Sequence, residues 1–230
     1  MYISGREIQI FNHLIFMVKF REFFKEKMHP VIRALMIHNI LCLTGWAFIN
    51  PIFAIYIIQN IKGSSIRTVG LCFFIYWVIK GSLQLFISHY LDRVEGEADD
   101  YFTLLLGQFL ETLIPIALIF AKTPPELYFV FCIYGLADAL YVPPWNAIFT
   151  RYINPKRVSF EWTLNSTGFN FGSAIAILIG SSLALILGFP SIFIFVAAAQ
   201  LIGLGVLLSI KKYFLHKKKV LPEYYFPLKI

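Results

Sequence analysis

Apolar residues dominate six long stretches of this chain, and polar residues collect in the short segments between them. Each stretch is long enough for a helix that crosses a bilayer, since roughly 20 residues rising 1.5 Å each span the hydrocarbon core. The pattern predicts spans over 31–58, 66–91, 101–121, 126–152, 158–187 and 190–210. The connections are short, at 60–65, 92–100, 122–125, 154–157 and the pair Gly188-Phe189. Lipid satisfies no backbone hydrogen-bonding group, and the ten-residue alternation of a membrane barrel is missing, so the spanning elements are helices. The expected fold class is an all-α membrane protein with six transmembrane helices.

Composition agrees: 58% of residues are hydrophobic and 14% charged, and mean hydropathy is +0.71. A water-soluble domain of this size needs far more polar surface. Charge then adds a direction. Of the 20 Lys and Arg residues, sixteen fall on the side that holds both ends of the chain. Lys62, Arg67 and Lys122 fall on the other, and Lys80 lies within a span. The positive-inside rule therefore predicts cytoplasmic N- and C-termini. The net charge of +7 follows from that topology and from attraction to anionic membrane lipid, so no nucleic-acid partner is expected. Residues 1–30 mix Ile8, Phe11, Leu14, Ile15 and Val18 with Arg6, Lys19, Arg21 and Lys25, without a signal-peptide pattern. They read as an amphipathic helix on the cytoplasmic leaflet. Residues 31–212 form the six-helix domain, and 213–230 form a basic cytoplasmic tail.

Candidate chemistry narrows the picture by exclusion. Cys42, Cys72 and Cys132 all sit within spans and make neither a disulfide framework nor a metal site. The histidines lack HxxxH or HExxH spacing, and no Gly-rich phosphate loop occurs. No enzyme activity, catalytic residue, metal or cofactor is expected.

Polar residues inside spans are costly and tend to face protein or water. In the first span Asn39, Leu43, Trp46 and Asn50 share a face, with a break expected at Pro51. The second carries the stripe Trp77, Lys80, Gln84 and Ser88, and the third Gln108 and Glu111. The fourth stacks Tyr134, Asp138, Tyr141 and Trp145, with Asn146 following. Asn50, Trp46, Lys80, Asp138, Tyr141 and Trp145 are thus the candidate lining of a substrate cavity. The competing reading is that Asp138 pairs with Lys80 simply to hold two helices together. Asp138 and Glu111 are the proton-coupling candidates, because a low dielectric favours a neutral carboxyl. In the fifth span Gly168, Gly172 and Gly180 form a small-residue row suited to close helix packing.

Several of these segments resemble the major facilitator superfamily. Ser88-His-Tyr-Leu-Asp-Arg-Val94 is similar to the loop motif G-x-L-a-D-R-x-G-R-R, with Asp92 and Arg93 at its central pair. Ser88 replaces the first motif Gly, Gly96 displaces the second by one, and acids Glu95, Glu97, Asp99 and Asp100 stand where the basic pair belongs. The fourth span, from Tyr134 through Pro143-Pro144 to Arg151, looks like the superfamily's fourth helix and its closing Arg. The fifth-span glycines and the Gly188-Phe189 turn are similar as well. The resemblance covers roughly residues 31 to 212.

What the resemblance implies is one six-helix half of a fold built from two such halves around a central cavity. A second, equally oriented copy would complete it, giving a homodimer with a twofold axis that acts as a secondary-active transporter of a small-molecule substrate by alternating access in a cell (inner or plasma) membrane. A different half as partner, or a non-transporting scaffold or receptor, are the alternatives. The gating residues implied are Asp92, Arg93 and Arg151, with Asp92 contacting Arg151 in its own protomer.

Overall fold

The computed structural model describes residues 27–94 and 96–215. The expected amphipathic helix before residue 27 and the basic tail beyond 215 lie outside the described residues. Seven α-helices occur among the described residues: α1 (Pro30–Ala47), α2 (Phe53–Asn60), α3 (Ile66–Arg93), α4 (Ala98–Phe120), α5 (Pro124–Tyr152), α6 (Val158–Leu187) and α7 (Phe189–Ser209). Six of them are long and apolar enough to cross a membrane, the last span extending from α7 through a 3₁₀ turn at Lys211–Tyr213. The chain is a multi-pass, all-helical membrane protein.

The first span differs from the expected single helix over 31–58. It is built as α1, a turn over 48–52, and the short α2. Pro51 explains the interruption, because it lacks an N–H and its ring clashes with the preceding turn. Pro30 opens α1, where its missing donor costs nothing, and Nδ1 of His29 accepts from the Val31 N–H at 3.2 Å. Pro115 and the pair Pro143-Pro144 lie inside α4 and α5, which nevertheless continue through them.

Packing orders the helices in a row: α3 against α5, α5 against α4, α4 against α7, α7 against α1, and α1 against α6. Close approaches fix two of these pairs. A Cβ on Gly107 of α4 would lie 2.6 Å from the Tyr141 backbone nitrogen of α5. A Cβ on Gly180 of α6 would lie 2.7 Å from the Phe48 carbonyl oxygen. Only glycine permits backbones this near. Gly172 and Gly168 extend the same contact toward Thr44 and Ile40.

α3 and α6 end the row, and each presents a long exposed apolar face: Phe74, Leu85 and Phe86 on α3, Phe171, Ile175 and Leu178 on α6. Two apolar cores lie toward opposite ends of the bundle. One gathers Phe53, Tyr56, Phe131 and Phe193; the other gathers Leu35, Tyr101, Phe149 and Phe214. Between them, along α1, α3, α4 and α5, the sequence places its polar intramembrane residues.

Candidate functional site

Asp138 lies midway along α5 and Lys80 midway along α3, so the packing of these two helices brings them to one depth. Lys80 Nζ lies 2.7 Å from Asp138 Oδ2. Tyr76, one turn before Lys80, donates its hydroxyl to the same carboxylate oxygen, and Lys80 Nζ lies 3.3 Å from the Tyr76 oxygen. A charge at such depth needs a partner, and each member here has one. The two side chains are 16% and 12% exposed, and that residual exposure is toward a cavity of about 390 Å³.

The cavity is walled by α1, α3, α4, α5 and α6. It brings together Asn50, Trp46, Lys80, Asp138, Tyr141 and Trp145, all six residues expected from the sequence. It also takes in Glu111 from α4, whose carboxyl interacts with both Asp138 and Lys80. Two carboxyls and one ammonium therefore line the same cavity.

Aromatic rings shape the walls. Trp46 stacks on Tyr134 with centroids 4.9 Å apart, and Tyr134 lies against Tyr76 at 4.6 Å. Trp145 stacks on Phe149 at 4.9 Å, and its indole N–H is buried with no hydrogen-bond partner among the described residues. The lining thus combines one ammonium, two carboxyls, phenol and indole faces, and the amides of Asn39, Asn50 and Asn146. Such a surface can hold a polar or amphipathic solute by stacking, hydrogen bonding and charge.

Sequence reasoning did not pick out Tyr76. The stripe it followed from Lys80 ran through Trp77, which is 59% exposed on the outer face of α3. The i, i+4 pair Tyr76–Lys80 was the available signal.

At the end of the bundle where α4 begins and α5 ends, the expected contact between Asp92 and Arg151 is replaced. Arg151 pairs with Asp100 on the first turn of α4. The cause is packing: the close α4–α5 contact through Gly107 sets the first turn of α4 beside the last turn of α5. Asp92 and Arg93 end α3 with exposed side chains. Next to the Arg151 pair, the Tyr152 hydroxyl donates to Glu97 at 2.6 Å, and Glu161 accepts from the Asn154 N–H at 3.2 Å. Two of the acids that replace the motif's basic pair, Glu97 and Asp100, are therefore bound into the end of the bundle, and both are buried.

Comparison with the curated proteins gives no match. Among solved structures, the chain is similar to the POT family transporter PepTSo, with a TM-score of 0.68 at 15% sequence identity. That likeness covers 86% of this chain and 40% of that one, so the chain spans well under half the length of the transporter it resembles. The family model that matches is the Major Facilitator Superfamily, over residues 35–223. With its six spans in this arrangement and the family pattern running through nearly all of it, the chain belongs to the Major Facilitator Superfamily.

Proposed function

We propose that this chain forms one half of a secondary-active transporter for a small solute. The observation that carries the reading is the mid-membrane cavity in which the Lys80–Asp138 pair is joined by a second acid, Glu111. Charged groups at this depth are expensive, and a merely structural clamp needs one acid for one base. The second acid gives the cavity more charged lining than a one-to-one clamp requires.

The cavity lies on the side bounded by α3 and α6, whose exposed apolar faces support association with a second six-helix unit. A second copy of this chain is the partner proposed, with both termini cytoplasmic in the cell membrane. Alternating access is then rocking of one unit against the other, with solute and proton bound at the shared surface. Asp138 and Glu111 are the proton carriers in this scheme. The cluster of Asp100, Arg151, Glu97 and Tyr152 supplies contacts within one unit near the gate.

The test is a solute screen in proteoliposomes with and without a pH gradient. Solute accumulation driven by the gradient and lost in Asp138→Asn is expected. Absence of movement for every solute, together with a bundle that stays single in bilayer discs, would overturn the reading. Self-association is measured separately, by cross-linking a single cysteine introduced at Phe171 of α6 in a chain whose Cys42, Cys72 and Cys132 are replaced.

A further inference from the structure

His38, on α1, has no solvent exposure and starts a chain of hydrogen bonds that crosses three helices. Its Nε2 lies 2.8 Å from Oε1 of Gln108 on α4. Gln108 Nε2 lies 2.8 Å from Oε1 of Gln200 on α7 and 3.2 Å from the Gln200 carbonyl. Gln200 Nε2 in turn lies 3.3 Å from the Cys42 carbonyl, back on α1.

The far end of this chain fixes its direction. A backbone carbonyl only accepts, so Gln200 turns its NH₂ toward Cys42 and its oxygen toward Gln108. Gln108 must then turn its NH₂ toward Gln200 and its oxygen toward His38. The hydrogen between Gln108 and His38 therefore sits on His38 Nε2. None of the ring's hydrogen-bonding neighbours (Gln108, Cys42 and Tyr141) is a carboxylate, so a charged imidazolium here would be buried without a counter-ion. The ring is neutral, and its Nδ1 is bare.

That bare nitrogen lies 3.4 Å from the Tyr141 hydroxyl. The hydroxyl's second neighbour is Asn39 Oδ1 at 3.5 Å, and Asn39 uses its NH₂ on Asn165 Oδ1 at 3.2 Å. Both neighbours of Tyr141 on α1 are acceptors. The phenol hydrogen points at them in a long, three-centre arrangement, leaving the oxygen lone pairs for the cavity that Tyr141 lines.

We propose that His38 is a positioning residue: through this one-way chain it holds Tyr141 as a hydrogen-bond acceptor in the cavity. That wall then selects solutes bearing a donor there, whether an ammonium, an amide N–H or a hydroxyl. The selectivity rests on the cavity being a solute site; the orientation of Tyr141 does not.

The experiment has two arms, both on the full chain in bilayer discs. Nitrogen-15 NMR of histidine-labelled protein, with the His38 signal identified by its loss in His38→Gln, reads the tautomer. A neutral ring protonated at Nε2 is expected; a hydrogen on Nδ1, or a doubly protonated ring, overturns the proposal. The second arm titrates 4-nitrobenzyl alcohol and 4-nitroanisole, two aromatic quenchers of which only the first donates, against tryptophan fluorescence. Tighter binding of the alcohol by about fivefold is expected, the worth of one neutral hydrogen bond. The preference should vanish in Tyr141→Phe and shrink in His38→Leu, with little change in 4-nitroanisole binding. Equal binding of the two by the unaltered protein overturns the selectivity. Failure of both to bind overturns the selectivity as well and counts against the cavity as a solute site, while the tautomer arm still decides the role of His38.

Discussion

Two polar clusters lie in this apolar bundle at similar depth, and they differ in how completely they satisfy themselves. The His38–Gln108–Gln200 cluster between α1, α4 and α7 is neutral and wholly buried, and its donors and acceptors answer one another. The Lys80–Asp138–Glu111 cluster is charged, borders a cavity and has two acids for one base. The first resembles a bolt that fixes helix register; the second is polar lining with capacity left over. Polarity within a membrane therefore divides by satisfaction rather than by residue type, and Tyr141 is the side chain that touches both.

The comparison breaks most readily at the ion pair. Lys80→Met leaves Asp138 without its cation, and unfolding in mild denaturant should show a loss of about 2–4 kcal/mol, below the fully buried range because the pair borders the cavity. The double variant Lys80→Met with Asp138→Leu should recover most of that stability and none of the gradient-driven uptake. Recovery of uptake would make the pair a clamp only.

Next in size is the neutral bolt. Gln108→Leu strands His38 and Gln200 and should cost about 2–3 kcal/mol by the same unfolding measurement, for two buried groups left partly unpaired. A cost near zero would mean that water replaces the missing amide.

Asp100→Asn keeps one hydrogen-bond acceptor for Arg151 but leaves its buried charge uncompensated, and should cost about 2–3 kcal/mol. Asp92→Asn, at an exposed position, should change stability by less than about 0.5 kcal/mol. A larger effect at Asp92 than at Asp100, measured in the same assay, would restore Asp92 as the partner that matters.

The sharpest separation comes from the smallest structural change. Glu111→Gln keeps shape and hydrogen-bonding capacity, so thermal stability should stay within about 1 kcal/mol. Uptake driven by a pH gradient should fall at least tenfold, while solute exchange at equal pH continues. Unchanged gradient-driven uptake would remove Glu111 from the proton path.

Much of the fold was legible because hydropathy and punctuation act locally. Val158–Leu187 has its bounds in the sequence, set by Arg157 before it and Gly188 after it, the latter at a φ of +76°. Pro51 announced the break in the first span, although not that α2 would stand apart as a helix of its own. The cavity was legible as a face, since Asp138, Tyr141 and Trp145 on α5 and Trp46 and Asn50 on α1 repeat at helical spacing. Pairings across helices were less so. His38, Gln108 and Gln200 lie on three separate helices, and nothing local says that they meet. Arg151 faced several acids between spans, and the choice of Asp100 depended on how closely Gly107 lets α4 approach α5.

The interruption at 48–52 has a mechanical meaning. In an unbroken helix the Ala47 carbonyl would receive the N–H of residue 51, and proline has none to give. The first span thus arrives with a joint already cut, next to Trp46 and Asn50 in the cavity wall. The segment beyond it is tied elsewhere, Tyr56 donating its hydroxyl to the Leu118 carbonyl of α4 at 2.6 Å. Bending there gives up little of the backbone ladder, so α1 and α2 can follow different neighbours when the bundle tilts.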